Sequence, residues 1–285
     1  MGAIFGAVVI FVMVFGGYLL AGGKLKIILA SLPYEMMMIG GAAIGAFVIS
    51  TDKHGMKHTL GALGKVFKGP RWHSDDFRDV LVLLHDLLKL GKQNPVGLEE
   101  HIEAPENSDI FARFPKIAAD DDAREIICDT LRAASMNFDD PNQVEEVLTK
   151  RVEARLQVEM HPSHALQTIA DGLPALGIVA AVLGVIKTMS SIDQPPEVLG
   201  KMIGGALVGT FLGVFLAYAF VGPFATKVKQ VVEEEHSFYL VIRDVLVASL
   251  QRHAPNISVE VARQNTPNAL RPSFNDLETA VRGGG

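Results

Sequence analysis

Two long apolar segments in the second half of the chain constrain the fold most, because each can cross a lipid bilayer. They run over residues 171–186 and 202–224. A transmembrane helix needs about 20 predominantly apolar residues, and neither segment carries an acidic residue in its middle. The sequence therefore predicts a helical membrane protein. If this chain moves ions, the titrating acid is expected on a partner chain.

Two further apolar segments lie near the N-terminus, at residues 3–20 and 36–50. The second is expected to extend back toward Pro33, and residues 24–35 are interpreted as an interfacial turn. The first segment lacks the positively charged leader of a signal peptide and is interpreted as a retained span. The predicted fold is all-α: a polytopic membrane protein with four transmembrane helices and a helical cytoplasmic domain.

Charged residues make up 20% of the chain, too many for a protein that lies wholly in lipid, and they cluster outside the apolar segments. The net charge of -6 argues against nucleic-acid binding. The predicted organisation has four parts: transmembrane helices 1 and 2 at residues 1–50, a cytoplasmic helical domain at 51–168, transmembrane helices 3 and 4 at 169–224, and a cytoplasmic helix and tail at 225–285.

Basic residues predict the orientation, because cytoplasmic loops carry an excess of lysine and arginine. Five follow the second span and two follow the fourth: Lys53, Lys57, Lys65, Lys68, Arg71, Lys227 and Lys229. The loops on the other side carry fewer. Four crossings place both termini on one side of the membrane, and the distribution of basic residues predicts that this side is the cytoplasm.

The polar regions show helical periodicity in several places. Ser74 is expected to cap a helix whose apolar face continues to Leu88, and Pro95 lies in a break at 91–97. Further helices are expected at 98–103, 122–135, 143–160 (interrupted at Pro162) and 225–253, whereas 254–282 is expected to be irregular apart from a short helix at 275–281. The single cysteine, Cys128, is interpreted as a small core residue.

Small residues recur at every fourth position of the last apolar segment, at Gly205, Gly209 and Gly213. Such a ridge allows another helix to approach closely. The partner helix can belong to the same subunit or to a neighbouring one. Small residues also recur in the third segment, at Gly177 and Ala181, and in the second, at Gly41 and Gly45. Three ridged helices in so small a bundle favour an assembly of several subunits.

Three residues in these segments permit two interpretations each. Pro174 and Pro223 either form paired kinks at one depth, and so a hinge, or merely mark helix boundaries. The hydroxyl of Thr210 either bonds the carbonyl four residues back or faces a water-lined ion path.

Several strings of residues carry a resemblance to a known family. They include 15–23, 39–47, 173–185, 208–218 and 271–278, and they occur in order over nearly the whole chain. They resemble the A subunit of the bacterial flagellar motor stator, the MotA family. The resemblance implies a complex in which five A subunits surround two B subunits of the MotB type. The B subunit anchors to peptidoglycan and carries the ion-binding aspartate, and the A ring pushes the rotor protein FliG.

The resemblance also implies roles for individual residues. Ala181 and Thr210 match positions that line the ion path, with Tyr218 nearby, and Pro174 and Pro223 match the hinge or coupling prolines. Four charged residues match or neighbour the rotor contacts: Lys92, Glu99, Lys89 and Glu100.

This last match needs a one-residue gap between Lys92 and Glu99, and lysine lacks the planar fork of the arginine that the family often has. Without the family, these charges would be an ordinary solvated face. The threonine–tyrosine pattern of the fourth span is more similar to proton-driven members, so the translocated ion is expected to be H+. No cofactor, metal or nucleic-acid partner is expected.

Two alternatives remain open. An energising channel of the ExbB and TolQ type would have three spans, whereas the sequence predicts four. A membrane enzyme would need a reactive constellation, but His161 and His164 and the polar cluster at residues 233–236 do not match a zinc-protease helix signature. The chain is therefore not expected to be an enzyme.

Overall fold

The computed structural model describes residues 2–136 and 140–283. Every regular element among the described residues is helical, and none is a β-strand, as the sequence predicted. The α-helices are α1 (Gly2–Leu20), α2 (Leu25–Ser50), α3 (Lys53–Lys68), α4 (Ser74–Gln93), α5 (Pro95–Glu103), α6 (Asp109–Ala112), α7 (Pro115–Ala118), α8 (Asp121–Ser135), α9 (Pro141–Met189), α10 (Pro196–Leu216), α11 (Gly222–Leu250), α12 (Pro255–Asn265) and α13 (Phe274–Gly283). A 3-10 turn at Pro105–Asn107 and a π-helical turn at Ala217–Val221 complete the set.

Four stretches of helix within the described residues are long and apolar enough to span a membrane, which confirms the predicted number. They lie in α1, α2, α9 and the run from α10 into α11. Helix α1 has a mean hydropathy of 2.5 and buries none of its residues against the rest of the chain. An apolar helix without internal burial requires lipid or another subunit around it.

The second span begins earlier than expected, and the interfacial turn over residues 24–35 does not exist. Helix α2 starts at Leu25 and continues through Pro33 to Ser50. Proline is tolerated inside a membrane helix because neighbouring helices compensate for the lost hydrogen bond. The correction places Glu35 inside the span. The second span therefore contains an acidic residue, which the sequence interpretation had placed in the turn.

Helix α9 is continuous from Pro141 to Met189, so the interruption predicted at Pro162 is wrong. Both Pro162 and Pro174 lie inside the helix. Next to Pro162, the buried hydroxyl of Ser163 donates a hydrogen bond of 2.9 Å to the carbonyl of Ala225. Packing against α11 holds the chain where a proline in an isolated helix would break it.

The C-terminal region is more ordered than expected. Residues 255–265 form α12, although the sequence predicted irregular chain there. Pro255 occupies the first turn, where its missing N–H has no intrahelical partner to lose. Helix α13 covers the short helix expected at 275–281. An unpredicted helix, α3, follows the second span and is capped by the side chain of Asp52, which accepts from Gly55 N at 2.8 Å.

The chain packs as two compact units, one of residues Met1–Gly69 and Glu159–Val231 and the other of residues Pro70–Val158 and Val232–Gly285. We call the first the membrane unit and the second the polar unit. The membrane unit has a small core of six residues: Ile39, Ala43, Leu173, Ala180, Leu212 and Ala217. The predicted division at residues 51, 169 and 225 follows the membrane boundary rather than packing, and it stays a prediction.

The polar unit has a large core in which aromatic side chains stack. The rings of Trp72 and Phe238 lie 4.0 Å apart and nearly parallel, and Phe77 meets Phe238 edge to face. Cys128 is buried in this core, as the sequence predicted.

Candidate functional site

The glycine ridge of α10 makes close contacts with two neighbouring helices of the membrane unit. Gly209 and Gly213 lie against Gly177 of α9, and an ideal Cβ on Gly177 would lie 2.8 Å from the carbonyl oxygen of Gly209. Gly205 and Gly209 also face α2, where their neighbours are Ser31 Oγ and Glu35 Oε2. These contacts all lie within one subunit, so the ridge serves intrachain packing whatever assembly the protein forms.

Ala181 and Thr210, the residues matched to the ion path, are half-buried in the membrane unit. Among the described residues, no hydrogen-bond partner lies within reach of the Thr210 hydroxyl. Other threonines behave differently: Thr188 donates to Gly184 O at 2.9 Å, and Thr226 donates to Gly222 O at 3.1 Å. The Thr210 hydroxyl therefore has donor and acceptor capacity that the chain itself does not use.

Tyr218 lies in the π-helical turn that joins α10 to α11, a feature the sequence did not predict. Gly222 N–H reaches back five residues to Ala217 O. Pro223 explains the wide turn: its ring carries no N–H and clashes with the carbonyl four residues before it. Tyr218 is largely exposed, at 73% of its surface, and shares an open groove of about 470 Å³ with Pro223 and Lys227.

Pro174 lies inside α9, half-buried, next to Leu173. The carbonyl oxygen of Leu173 would lie 2.6 Å from a Cβ on Gly213, so Pro174 sits beside the close approach of α9 and α10. It does not line the groove of Pro223. The structure therefore ties the two prolines to different features: a helix contact for Pro174, and a widened turn for Pro223.

The four charged residues matched to the rotor contact lie at the junction of α4 and α5 in the polar unit. Helix α4 ends at Gln93 because Pro95 follows, and Asn94 caps α5 by accepting from Gly97 N at 3.0 Å. Gly91 allows the two helices to meet, since a Cβ there would lie 2.9 Å from Leu98 Cδ2. The side chains of Lys89, Lys92, Glu99 and Glu100 are all exposed.

These charges are almost free of partners. Lys92 Nζ donates to the carbonyl of His253 at 2.8 Å. Within the described part of the chain, Lys89, Glu99 and Glu100 make no ion pair or hydrogen bond. Two lysines and two glutamates are thus presented together on one surface without neutralising one another.

The sequence interpretation missed Glu35, which α2 carries into the membrane unit with only 5% of its surface exposed. The missed signal is its context: residues 27–34 and 36–50 on either side are apolar or small. Treating 24–35 as a turn removed Glu35 from the span. His161 and His164, by contrast, are exposed on α9, and no group of three or more metal-ligating side chains gathers among the described residues.

Four apolar spans, a glycine-to-glycine helix contact and polar side chains at depth define a polytopic helical membrane protein. The family model of the motility protein A N-terminal region matches residues 4–95, and that of the MotA/TolQ/ExbB proton channel family matches residues 118–239. The chain belongs to the motility protein A family. This full-length family match does not favour the outer-membrane energiser.

Individual relatives match over nearly the full length. Motility protein A of Salmonella typhimurium and that of Escherichia coli are each 37% identical over 278 residues, covering 97% of this chain and 94% of theirs. Chemotaxis protein LafT of Vibrio parahaemolyticus is 34% identical over 274 residues, covering 96% and 95%. The solved structure of C. jejuni MotAB is similar in fold, with a TM-score of 0.73 at 19% identity, covering 96% of this chain and 98% of that one.

Proposed function

We propose that the chain is the A subunit of a proton-driven flagellar stator in the bacterial cytoplasmic membrane, with both termini in the cytoplasm. The observation that carries the proposal is the full-length match to motility protein A at 37% identity. Its partner would be a MotB-type B subunit that carries an ion-binding aspartate. The solved MotAB complexes of C. jejuni and B. subtilis, which share the fold, support this pairing.

The proposed assembly is a ring of five copies around a B-subunit dimer. Helix α1 supports an assembly of some kind, because none of its residues is buried within the chain. Phe5 and Met13 are 72% and 70% exposed there. This apolar surface is available to lipid and to neighbouring subunits.

The proposed ion path uses Ala181 and Thr210, with Tyr218 toward the cytoplasmic end, and the ion would be H+ with no further cofactor. The unpartnered hydroxyl of Thr210 supports this role, since a proton path needs groups that can bond water. One elementary charge that crosses 100 mV releases about 2.3 kcal/mol. That suffices to bias a step between two packings, and Pro174 and Pro223 would transmit it.

Torque would pass to the rotor protein FliG through Lys89, Lys92, Glu99 and Glu100. Their exposure and the scarcity of internal partners support this role, because a charge already paired within the chain has less to offer another surface. Contacts of this kind are screened by salt and weak individually. Several such contacts together form a surface that can bind the rotor protein and dissociate from it again.

The test measures the swimming speed of a host that lacks its own A subunit and is complemented with this chain and its B subunit. In sodium-free buffer we expect swimming that a protonophore abolishes. Swimming that requires sodium would overturn the proton assignment, and no swimming with both subunits present in the membrane would contradict the stator assignment.

The rotor surface is tested separately by charge reversal. Lys92→Glu combined with Glu99→Lys is expected to slow swimming strongly while the complex stays in the membrane. Glu106→Lys reverses a charge on another exposed part of the polar unit and should leave swimming unchanged. Equal effects of the two changes would contradict a specific rotor surface.

A further inference from the structure

Glu35 occupies a depth at which an ionisable group is costly. It lies ten residues after the start of α2 at Leu25, which corresponds to about 15 Å along a helix that rises 1.5 Å per residue. The hydrocarbon core of a bilayer is about 30 Å thick. Glu35 therefore lies close to half depth, where ionisable side chains are rare and mark ion or proton pathways.

The carboxyl group is enclosed and incompletely satisfied. Its Oε2 atom has no hydrogen-bond partner among the described residues. It packs against Gly209 of α10, where an ideal Cβ would lie only 2.6 Å away. One turn earlier on both helices, Ser31 Oγ lies 2.9 Å from the Cβ position of Gly205. The ridge of α10 thus provides space for two polar side chains of α2.

A cavity of about 460 Å³ leads to this carboxyl group. Glu35, Ser31 and Gly205 line one part of it, and Lys187 and Lys201, at the ends of α9 and α10 that flank the 190–195 loop, line another. Since a water molecule occupies about 30 Å³ of liquid, the cavity has room for several. Water in the cavity could reach Glu35 from the loop that joins the third and fourth spans.

The charged and titratable groups around the cavity come from all three helices. Tyr34 lies on α2, Lys187 on α9 and Lys201 on α10. Lys201 Nζ is paired with Glu197 at 2.9 Å. No ion pair joins Glu35 to a described residue, so neither lysine contacts it directly.

We propose that Glu35 is a proton-binding carboxyl group of this chain, in addition to the acid expected on the B subunit. A proton passes from hydronium in the cavity to a Glu35 oxygen, which leaves water and the neutral acid; the reverse step regenerates the carboxylate. The neutral acid carries its own O–H donor and avoids the cost of a buried unpaired charge. The inference extends the proposed function, since it places a proton site on the subunit that forms the ring.

The first test measures protonation without using motility. The complete complex in native membranes is treated with dicyclohexylcarbodiimide, which modifies protonated carboxyl groups in apolar surroundings, over a series of pH values. Mass spectrometry then quantifies the adduct on the Glu35 peptide. We expect an adduct that declines as pH rises, with little on the exposed Glu197. No adduct at any pH would overturn the proposal, and protection by sodium at constant pH would make the site a sodium site.

The second test distinguishes proton binding by Glu35 from the effect of its side-chain shape. Glu35→Gln keeps the volume and hydrogen-bonding capacity but cannot bind a proton, so swimming speed should fall at least tenfold. Glu35→Asp should restore part of it, and Glu145→Gln, at an exposed position of the polar unit, should swim like the parent chain. Co-purification with the B subunit verifies assembly. Parental speed in Glu35→Gln would overturn the proposal. The labelling result on the parent chain stands even if this variant fails to assemble, or if the parent chain fails to drive swimming.

Discussion

Gly177 of α9 and Gly213 of α10 touch backbone to backbone. An ideal Cβ on Gly213 would lie 2.9 Å from Gly177 Cα, and one on Gly177 would lie 3.1 Å from Gly213 Cα. The nearest atom to the Gly213 position is the backbone oxygen of Leu173, at 2.6 Å, which cannot rotate away as a side chain would. Only glycine at both positions allows the third and fourth spans to pack at this distance.

Replacing Gly213 with alanine should therefore destabilise the membrane unit. Overpacking costs about 1–3 kcal/mol, and we expect a lower melting temperature of the purified complex together with slower swimming. Gly200→Ala is the matched control, because Gly200 lies in the same helix with nothing within 4 Å of its Cβ position. If the two alanine variants unfold at the same temperature, the close contact is not what holds the spans.

Asp120 should be the most sensitive acidic residue at the start of α8. It is 95% buried, and its Oδ1 accepts from Ala123 N at 2.8 Å and from the Tyr239 hydroxyl at 3.0 Å, while Oδ2 pairs with Arg71. Asp120→Ala removes a helix cap and orphans a buried hydroxyl, so we expect a loss of about 3 kcal/mol in the free energy of unfolding.

Its neighbour Asp121 provides the control for this experiment. Asp121 is exposed and makes only an ion pair with Arg124 three residues on. Asp121→Ala should change the free energy of unfolding by no more than about 0.5 kcal/mol. Chemical denaturation of the two purified variants measures both changes in the free energy of unfolding. Equal changes would show that the helix cap and the hydrogen bond from Tyr239 contribute little to stability.

The titration of His236 should make the stability of the protein depend on pH. Burial lowers the pKa of its imidazole, and the positive charges of Arg155 and Arg243 lower it further. Its Nδ1 has no hydrogen-bond partner among the described residues. The unfolded chain, with a histidine pKa of about 6.5, binds the proton more readily than the folded chain. The contribution of neutral His236 to the free energy of unfolding is therefore fully present above that pH, and it declines as the pH falls below it.

His236→Gln should flatten this decline, because glutamine does not titrate. Melting temperatures of the purified protein across mildly acidic and neutral pH would reveal the difference. His54→Gln removes an exposed histidine and should leave the slope unchanged. A slope that survives in His236→Gln would assign the acid sensitivity to another group.

Cys128 should resist alkylation in the folded protein. Burial in the core of the polar unit raises the pKa of its thiol to about 11, so little of the reactive thiolate exists at neutral pH. We expect modification by iodoacetamide to follow unfolding, as measured by intact mass. A second cysteine at the exposed position of Ser135, at the end of the same helix, should react at once. Rapid labelling of Cys128 in the parent chain would contradict its burial.

Hydropathy and periodicity were sufficient for much of this molecule. The spans at residues 3–20, 171–186 and 202–224 follow from composition, because lipid admits only helices with every backbone group bonded internally. The helices α4 and α8 follow from apolar spacing. Their faces meet in the aromatic core of the polar unit, although the helix cap precedes Ser74 by one residue, at His73.

The errors fall where local signals conflict with packing. Pro162 was predicted to interrupt a helix, and Pro174 either to kink a helix or to mark its boundary, yet both lie inside α9. Pro33 and Glu35 together suggested an interface, yet α2 passes through both. A proline removes one backbone hydrogen bond of the helix. Whether the helix continues depends on what packs around the freed carbonyl, and the residues adjacent in sequence do not determine that packing.

The sequence by itself determined that this chain is an all-helical membrane protein with four spans, since hydropathy and helical period are properties of consecutive residues. The tertiary structure alone decided where the polar groups lie: Glu35 lies against Gly209, Tyr218 lies on a π turn, and the Thr210 hydroxyl has no hydrogen-bond partner among the described residues. These positions depend on which helix face meets which. That choice results from close packing between residues distant in sequence.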